Sequence, residues 1–508
     1  GVLYGAGACC NSGSPSLPQL ALDIAARLAP RSALALQAES HECIIQLVTR
    51  TAPVVIAGPH SKHLHSTRTA CNKEMLKLSA LSVVALGYTP PGRARQPTKL
   101  NAGYIADIPQ GAPDAILGIA QAFRESNAEN KVNLAVGAYR DDGGVPFVLP
   151  SVSEAERRIL ERGEKKEYAP IDGLADYTRL ALQFAYGDCA ALKEGRIAGV
   201  QTLSGTGACR IAGEFYARFL PKGTAIYASD PTWGNHIPIM QLAGLEVKRY
   251  KYLDRKTNTL DFDGFMGDLE SAPSGSIFLL HACAHNPTGV DPTPDQWRAI
   301  SQKILEKGHH VLMDCAYQGF ASGDAEKDAF AIRLFVDAGH SLLLAQSFAK
   351  NFGLYGERVG TLSVLCKDKD EASRVLSQLK LIIRPMYSSP PIHGALIVKE
   401  VLSDAALSKQ YYAECAAMAE RIGGMRLRLR EEIEAAGSTH DWSHVTSQIG
   451  MFAFTGMTAA MCDELTAEHA IYLTKDGRIS IAGLNAGNVA TVARAIHAVT
   501  DGKAIGSG

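Results

Sequence analysis

The sequence predicts an α/β fold with a mainly parallel sheet, and three observations lead to this prediction. The central third of the chain alternates short apolar runs with helix-length segments, which is the pattern of consecutive βαβ units. Each apolar run ends in a polar or turn-rich cluster. At 508 residues the chain exceeds the size of one compact core, so a second domain is expected.

Four short apolar runs are the strand candidates of this sheet. They lie at 225–228, 277–280, 311–313 and 342–345. The polar clusters that follow them lie at 229–231, 281–289, 314–319 and 347–353. Because ligands of open α/β sheets bind outside the carboxyl ends of the strands, we expect the four clusters to form one composite site.

The regions on either side of these repeats predict further helices and strands. Helical apolar spacing is found at 115–124, 154–160 and 208–220. From about residue 404 the pattern is helical again, with 418–436 the longest stretch. Strand texture is found at 132–140, which leads into a turn at 141–144, and again at 449–454 and 477–482.

Composition restricts the class of protein. The chain is 46% hydrophobic and 20% charged with a net charge of -1, so nothing indicates a nucleic acid or a membrane surface as partner. No apolar run reaches the roughly 18–20 residues that span a bilayer. The 11 cysteines are scattered without C-x-x-C spacing, which indicates reduced thiols of an intracellular protein and predicts no metal site.

Residues 1–100 differ in composition from the rest of the chain. They contain more bases than acids and are rich in Ala, Ser, Pro and His, which is typical of an organelle transit segment or a disordered extension. A mistaken gene start is the alternative. The segment favours the mitochondrion or another organelle, with the cytoplasm as the alternative compartment.

A lysine follows the last strand candidate of the central region. Lys350 lies in the stretch from Ser347 to Arg358, just past an apolar run. In a partly desolvated pocket such a lysine loses its proton and attacks a carbonyl to form a Schiff base. A solvated loop lysine is the alternative for a lysine considered by itself.

A glycine-rich turn predicts an anion site. Ser204-Gly205-Thr206-Gly207 precedes a helical segment, and such turns offer free backbone N–H groups and the positive end of the helix dipole to a phosphate. Arg358 adds a bidentate charge contact and Ser347 a hydroxyl to the same phosphate.

Four further residues suit a ring cofactor. Asp314 ends a buried strand, where a carboxylate needs a cationic partner such as a protonated pyridine nitrogen, although a helix N-cap is the alternative. Tyr317 and Asn286 suit hydrogen bonds to a ring oxygen. Trp233 suits stacking on the ring face, and a core tryptophan is its alternative. The histidines of the 281–289 cluster suit hydrogen bonding rather than metal binding.

Two arginines suit the binding of anions. Arg478 begins a strand candidate, and its planar guanidinium matches a carboxylate, with a surface ion pair as the alternative. Arg384 has apolar neighbours and is followed by prolines, which predicts a stiff connection rather than a solvated helix face. A buried guanidinium needs an anion, with an internal salt bridge as the alternative.

From about residue 101 to residue 500 the chain resembles the aspartate aminotransferase subgroup of the pyridoxal-phosphate-dependent, fold-type-I, class I aminotransferases. The most specific motifs are His285-Asn286-Pro287-Thr288-Gly289, the seven residues from Asp314 to Phe320, and the stretch from Ser347 to Arg358. The resemblance does not cover residues 1–100.

The resemblance implies a role for each site residue. Lys350 carries the cofactor, Asp314 pairs with the pyridine nitrogen, Tyr317 and Asn286 bind the ring oxygen, and Trp233 stacks on the ring. The residues implied in phosphate binding are Ser204, Gly205, Thr206, Ser347, Arg358 and, from the neighbouring subunit, Tyr168. Those implied in substrate binding are Ala135, Trp233, Asn286, Arg384 and Arg478, and His236 and His281 support Asp314. Where Ala135 stands the family usually has glycine.

The resemblance also implies an architecture and a reaction. It implies a large domain with the mainly parallel sheet at 146–417, a smaller α/β domain at 112–145 and 418–508, and an N-terminal arm at 101–111. Family members are homodimers with shared active sites. The reaction is reversible amino transfer between L-aspartate and 2-oxoglutarate, giving oxaloacetate and L-glutamate. An aromatic amino acid aminotransferase and a non-catalytic member are the alternatives, and the full set Lys350, Asp314, Arg384 and Arg478 argues against the latter.

Overall fold

The fold is described from a computed structural model of the chain. The structure describes residue 105, residues 108–111 and residues 115–506. The predictions for residues 1–100, and those for most of the arm at 101–111, lie outside the described residues.

Helices account for much of the described chain. They are α1 Ala115–Glu125, α2 Pro150–Arg162, α3 Ala175–Tyr186, α4 Ala190–Lys193, α5 Ser204–Phe219, α6 His236–Leu242, α7 Phe262–Ser271, α8 Pro294–Lys307, α9 Ala325–Asp328, α10 Phe330–Asp337, α11 Lys369–Met386, α12 His393–Ser403, α13 Ala405–Ala435, α14 Ser443–Ser447, α15 Ala459–His469 and α16 Val489–Thr500, with a 3-10 turn at Ile481–Gly483.

Strands lie between these helices. They are β1 Val132–Asn133, β2 Ile197–Leu203, β3 Ala225–Asp230, β4 Glu246–Lys251, β5 Leu253–Asp254, β6 Thr259–Leu260, β7 Ile277–His281, β8 His310–Cys315, β9 Leu342–Ser347, β10 Val359–Leu365, β11 Phe452–Phe454, β12 Ile471–Tyr472 and β13 Arg478–Ser480.

Seven of the strands form one sheet in the order β2-β10-β9-β8-β7-β3-β4. Neighbouring strands are parallel from β9 through β8, β7 and β3 to β4. Strand β10 is antiparallel to both β9 and β2, so β2 has the same direction as the parallel strands. The carboxyl ends of β2, β3, β7, β8 and β9 therefore lie at one edge of the sheet, together with the first residue of β10. This edge is where a ligand is expected in such folds.

Both faces of the sheet are covered. Phe278 and Leu280 of β7 pack into one hydrophobic cluster, and Ile277 and Leu279 of the same strand pack into another on the opposite face. Because side chains alternate along a strand, continuous apolar runs are what a sheet buried on both faces requires. This is why the four central strands were readable from sequence, and their prediction is confirmed with the bounds given above.

A third hydrophobic cluster involves the C-terminal part of the chain. It includes Leu429 and Ile433 of α13 and Val492 and Ile496 of α16, all buried. Strands β11 and β13 pair antiparallel, with Phe454 opposite Arg478. This arrangement ties the strand that carries Arg478 to a packed core.

The strand expected at 132–140 was wrong for most of its length. Only Val132 and Asn133 are in strand conformation, paired with β12. The side chain of Asn133 accepts hydrogen bonds from the N–H groups of Ala135 (3.0 Å) and Val136 (3.3 Å). Such a local side-chain acceptor takes these amides out of a strand ladder. The turn at 141–144 is confirmed by the hydrogen bond from Gly144 N–H to the Asp141 carbonyl, 2.9 Å.

Other element bounds agree with the prediction only in part. The longest helix, α13, begins at Ala405, close to the expected start of helical pattern at about residue 404, and Asp404 caps it by accepting from two N–H groups of its first turn. The expected strand at 449–454 is confined to β11 because Gly450 adopts a positive φ of 81° and Ile449 N–H bonds to Gly289. After β13, the segment expected to be a strand to residue 482 turns into a 3-10 helix.

The large-domain and small-domain bounds stay predictions. Helix α13 crosses the expected bound at 417/418 without interruption. Within the described part of the chain, no helix is both long and apolar enough to cross a membrane.

Candidate active site

A cavity of about 270 Å³ lies at the edge of the sheet where the parallel strands end. Ten of the eleven residues predicted to bind a cofactor line it, and Tyr168 does not. The ten are Ser204, Gly205, Thr206, Trp233, Asn286, Asp314, Tyr317, Ser347, Lys350 and Arg358. They come from the ends of five strands and the start of a sixth, so the sheet topology gathers residues that are far apart in sequence.

Lys350 lies in the connection between β9 and β10. Both ends of this connection are fixed to the sheet, because Ser347 pairs with Gly360 and Phe348 N–H bonds to the Val359 carbonyl at 3.1 Å. The side chain of Lys350 is half-buried, and its Nζ lies 5.4 Å from the centre of the Tyr317 ring. Desolvation lowers the pKa of its amine, and Arg358 acts in the same direction while the Asp314 charge opposes both. A larger share of the amine is therefore uncharged than for a solvated lysine.

The start of α5 forms the rim of the cavity next to Lys350. The hydroxyls of Ser204 and Ser347 lie 3.0 Å apart, and Ala349 N–H donates to the Ser347 hydroxyl at 3.2 Å. A Cβ added to Gly205 would lie 3.2 Å from the Ser347 Cβ, so glycine suits this close approach. The first N–H groups of a helix have no partner within the helix, and here they belong to residues that line the cavity. This is the geometry of an anion site.

Asp314 lies near the end of β8, with its side chain mostly buried. Its Oδ2 accepts a hydrogen bond from Nε2 of His236 at 3.2 Å. Burial by itself raises the pKa of Asp314. The hydrogen bond with His236 and the charge of Lys350 outweigh burial, so the pKa lies below the usual 3.8. Asp314 is therefore a carboxylate at neutral pH, suited to pair with a cation in the cavity.

A chain of hydrogen bonds fixes the proton positions behind Asp314. Asn286 N–H donates to His281 Nδ1 (3.3 Å), and desolvation lowers the pKa of His281 to about 3, so the ring is neutral with its hydrogen on Nε2. That Nε2 donates to the Thr232 hydroxyl (3.3 Å), which in turn donates to His236 Nδ1 (2.9 Å). His236 therefore carries hydrogen on Nε2 and donates it to Asp314. The supporting residues predicted from sequence do lie in contact with this carboxylate, directly or through Thr232.

Three more predicted residues surround the cavity. Oδ1 of Asn286 is buried and has no hydrogen-bond partner within the described residues. Tyr317 is buried, and desolvation raises the pKa of its phenol, which stays protonated and can donate. Trp233 meets His236 edge-on, with ring centres 5.1 Å apart. An unpartnered amide oxygen and a protonated phenol are groups that a polar ring would satisfy.

Arg478 does not line the cavity, but it is buried rather than paired at the surface. Its NH2 donates to the Ala135 carbonyl at 3.0 Å, and its guanidinium lies 4.3 Å from the centre of the Phe452 ring. Nε has no partner within the described residues, and desolvation lowers the pKa of the group. A guanidinium with neutral partners only is suited to receive an anion.

Ala135 is fully buried next to Arg478. It is not among the residues with positive φ, so its backbone conformation does not require the glycine that the family usually has there. Its carbonyl contacts Arg478, and two residues on, a Cβ added to Gly137 would lie 2.5 Å from the Phe452 ring. The segment 135–137 therefore packs against both Arg478 and Phe452.

The prediction that Arg384 lies in a stiff connection was wrong. Arg384 lies in the last turn of α11, its side chain is exposed, and it donates to the hydroxyl of Ser388. Pro385 lies inside this helix, so the proline that predicted a stiff connection is part of the helix instead. Tyr168 is also exposed, by 87%, and it lines a second cavity of about 420 Å³ together with Ser388 and its neighbours. Tyr168 and Ser388 thus lie together at this second cavity, and neither lines the cavity at Lys350.

Comparison with known proteins identifies the family. The model of the family described as aminotransferase class I and II matches residues 129–496, which is more than half of the chain. The chain belongs to the class I and II aminotransferase family. The cavity residues all lie within the matched region.

Relatives in this aminotransferase family are similar over most of their length. The mitochondrial aspartate aminotransferase of Dictyostelium discoideum is 53% identical over 401 residues, covering 79% of this chain and 94% of that protein. The structure of a mitochondrial aspartate aminotransferase from Trypanosoma brucei is 46% identical with a TM-score of 0.74, covering 76% of this chain and all of that one. An aromatic-amino-acid aminotransferase from Burkholderia pseudomallei, covalently bound to pyridoxal phosphate, is 42% identical with a TM-score of 0.76, covering 78% of this chain and 99% of that one.

Several residues of this aminotransferase site were not singled out from its sequence. Thr232 connects two histidines. It lies in the same short motif as Trp233, four residues before His236, and a hydroxyl at this spacing from a histidine was a usable signal. Asn235 lines the cavity from that motif as well. Phe452 contacts Arg478, but an apolar residue in a strand gives no signal of its own. Cys209 lies within 4.8 Å of ligand atoms of His236 and Asp314, and burial raises the pKa of its thiol.

Proposed function

We propose that this aminotransferase transfers the amino group reversibly between L-aspartate and 2-oxoglutarate, giving oxaloacetate and L-glutamate, with pyridoxal phosphate as cofactor. The observation that carries the proposal is the single cavity lined by Lys350, Asp314 and the glycine-rich start of α5. An amine of lowered pKa, a carboxylate and an anion site occur together there. The names of the relatives from Dictyostelium and Trypanosoma support aspartate as substrate.

The residues of the cavity fit the proposed cofactor. Its phosphate would be held by Ser204, Gly205, Thr206, Ser347 and Arg358, and its ring by Asp314, Tyr317, Asn286 and Trp233. Two observations support the fit. The buried Asn286 oxygen has no partner within the described residues, and Gly205 has no side chain that would fill the narrow space next to Ser347 at the rim of the cavity. When bound, the group supplies an electron sink for the substrate Cα.

Lys350 is the residue proposed to bind the cofactor and then move the proton. Desolvation favours the uncharged amine, which is the form needed both for attack on a carbonyl and for general base catalysis. Once displaced by the substrate amine, Nζ would take the proton from the substrate Cα. Asp314 remains anionic throughout because His236 donates to it from a fixed tautomer. Tyr317 contributes a protonated hydroxyl to the same cavity.

Arg478 and Arg384 are proposed to bind the two carboxylates of the substrate. Arg478 is desolvated and has neutral partners, which supports binding of the α-carboxylate beside Ala135. Arg384 is exposed, and Ser388, to which it donates, lines the same second cavity as Tyr168. The exposure of Arg384 and Tyr168 supports a homodimer in which both residues reach the site of the partner subunit. Arg384 would then bind the distal carboxylate and Tyr168 the phosphate.

The domain assignment and the compartment are part of the proposal. We infer a large domain at 146–417 and a small domain at 112–145 and 418–508. The mitochondrial names of the relatives from Dictyostelium and Trypanosoma support the mitochondrion as compartment, with the cytoplasm as the alternative.

A steady-state panel of amino donors tests the proposal. Purified holoenzyme would be assayed with aspartate, glutamate, alanine, phenylalanine and tyrosine at saturating 2-oxoglutarate. A hydrogen bond to a charged group contributes roughly 1.5–3 kcal/mol, so the dicarboxylic donors should exceed alanine by at least about one to two powers of ten in kcat/KM. The Burkholderia relative favours an aromatic aminotransferase as second candidate, and higher kcat/KM with tyrosine than with aspartate would support it. Absence of turnover with every donor would leave only the non-catalytic alternative.

A further inference from the structure

A second arginine, Arg426, lies close to the proposed substrate-binding region without contacting the cavity. It belongs to α13 and is 3% exposed. Its NH1 donates to the Val445 carbonyl at 2.8 Å, and its NH2 donates to the carbonyls of Gly450 (2.8 Å) and Phe452. These acceptors are backbone oxygens, and the guanidinium forms no ion pair within residues 115–506. Desolvation lowers its pKa to about 9, so it remains a cation at neutral pH.

The acceptors of Arg426 all belong to one segment, 445–452, which we call the carbonyl turn. Gly450 adopts a positive φ of 81°, which turns the chain so that three carbonyls face one guanidinium. Arginine suits this position because its planar fork donates in several directions at once, whereas the donors of lysine diverge from one nitrogen. Loss of the fork would leave buried carbonyls without partners, which is costly.

The carbonyl turn connects Arg426 with Arg478. Phe452, the last residue of the turn, lies with its ring 4.3 Å from the guanidinium carbon of Arg478. The backbone of Phe452 is bonded to Arg426, and strand β11, which begins at Phe452, pairs with β13, which begins at Arg478. The tip of the ring meets Gly137, where an added Cβ would lie 2.5 Å from Cζ of Phe452. The ring therefore contacts both the segment 135–137 and the guanidinium of Arg478.

The same turn contacts the loop that carries Asn286. Ile449 N–H donates to the Gly289 carbonyl at 2.7 Å. A Cβ added to Gly289 would lie 2.8 Å from the Phe452 carbonyl oxygen, so the two backbones are in close contact. A shift of the carbonyl turn would therefore move both the loop that carries Asn286 and the strand that carries Arg478.

We propose that Arg426 is a positioning residue that orients Arg478 for the substrate α-carboxylate by fixing the carbonyl turn and, through it, the ring of Phe452. This inference rests on the proposed function, since it takes Arg478 as the carboxylate ligand. Binding of the α-carboxylate contributes alike to the bound ground state and the transition state, so a misplaced Arg478 raises KM more than it lowers kcat.

The test compares Arg426→Met and Arg426→Lys with the wild-type holoenzyme. Three quantities are measured: KM and kcat for aspartate, and the dissociation constant of succinate, a dicarboxylate that binds without reacting. We expect Arg426→Met to raise both KM and the succinate dissociation constant by about tenfold, with kcat changed by less than about threefold. Arg426→Lys, which keeps the charge but not the fork, should give a smaller rise in both. It also keeps the test open should the methionine variant not fold.

Two control variants separate positioning from general stability. Arg428→Met makes the same substitution two residues away on α13, where Arg428 is half-exposed and pairs with Glu432, and it should leave KM and the succinate dissociation constant unchanged. Leu269→Ala removes a fully buried side chain of α7 in another hydrophobic cluster, so it should lower the melting temperature without raising KM.

Two outcomes would overturn the inference. In the first, Arg426→Met lowers the melting temperature as Leu269→Ala does but leaves KM and succinate binding at wild-type values. In the second, kcat falls while KM and succinate binding stay unchanged. Failure of the proposed function is a separate result, because it would show as absence of aspartate turnover in the wild type. Succinate binding measured by calorimetry does not depend on turnover.

Discussion

The hydroxyl of Thr232 is expected to contribute measurably to stability. It is buried, accepts from His281 Nε2 and donates to His236 Nδ1. Thr232→Val keeps the shape of the side chain but leaves one buried donor and one buried acceptor without a partner. Each unsatisfied group costs about 1–3 kcal/mol, so the variant should lose about 2–6 kcal/mol.

The expected change in melting temperature follows from the size of the fold. The entropy of unfolding is about 2.1 cal/mol/K per residue, which gives roughly 0.8 kcal/mol/K for the described fold at 115–506. A loss of about 2–6 kcal/mol then lowers the melting temperature by about 2–7 °C. The measurement is calorimetry of the cofactor-free protein at one fixed protein concentration, since association also affects the melting temperature.

Thr232→Ser is the matched control because it keeps the hydroxyl and removes only a methyl group. It should melt within about 2 °C of the wild type, which corresponds to a loss of less than about 1.6 kcal/mol at that entropy of unfolding. A valine variant as stable as the serine variant would refute the reasoning, because the hydroxyl would then not be the bridge between the two histidines. The proton positions assigned behind Asp314 would lose their basis.

Five further predictions concern the site and residues 1–100. The pKa of Lys350 is lowered on folding, so the folded cofactor-free protein binds fewer protons than the unfolded chain below pH 10.5. Its stability relative to Lys350→Met should therefore rise as the pH increases towards 10.5, and melting curves of both proteins at increasing alkaline pH would show a constant difference if the pKa of the amine were not lowered. Lys350→Met should also lose the covalent attachment that borohydride fixes in the wild type, as shown by peptide mapping. Asp314→Ala should lower kcat by several powers of ten, in line with or beyond the loss of other electrostatic groups, whereas a near wild-type rate would mean that Asp314 only caps the fold. Arg384→Asp should lower kcat/KM for aspartate and raise it for lysine, and unchanged aspartate kinetics would remove Arg384 from the substrate site. A chain that starts at Asn101 should fold, dimerise and keep its activity, and an insoluble product in size-exclusion chromatography would count against this.

Much of the large sheet was predictable because its strands are buried on both faces. The run 342–345 is apolar throughout, and the structure extends it by only two residues, to Ser347. The order of the strands was not predictable, since β2 and β10 lie next to each other through pairing of residues more than 150 positions apart. The strand order brings the cavity residues together. Resemblance of the motifs nevertheless identified these residues without knowledge of the strand order.

Other features were misjudged because individual side-chain contacts decide them, and the apolar pattern does not show these contacts. The segment 132–140 alternates like a strand, but the side chain of Asn133 provides a local acceptor that ends it. Arg384 was expected to be buried because its neighbours are apolar. Ile382 and Ile383 are indeed buried, but Arg384 points from α11 into solvent. The contact of Thr232 with His281 and the contacts of Arg426 with the segment 445–452 join partners distant in sequence, and no local pattern predicts them.

The lack of an ion pair at Arg478 within the described residues has a practical consequence for measurement. A buried guanidinium whose side-chain contacts are a carbonyl and an aromatic ring attracts any small anion that reaches it, although the charge of Asp476 weakens this attraction. Chloride, sulfate and acetate from the buffer therefore compete with the substrate carboxylate, and the apparent KM should rise with their concentration while kcat stays constant. Constants measured in different buffers are comparable only after extrapolation to zero competing anion, and the slope of that extrapolation is itself a measure of how exposed this one arginine is.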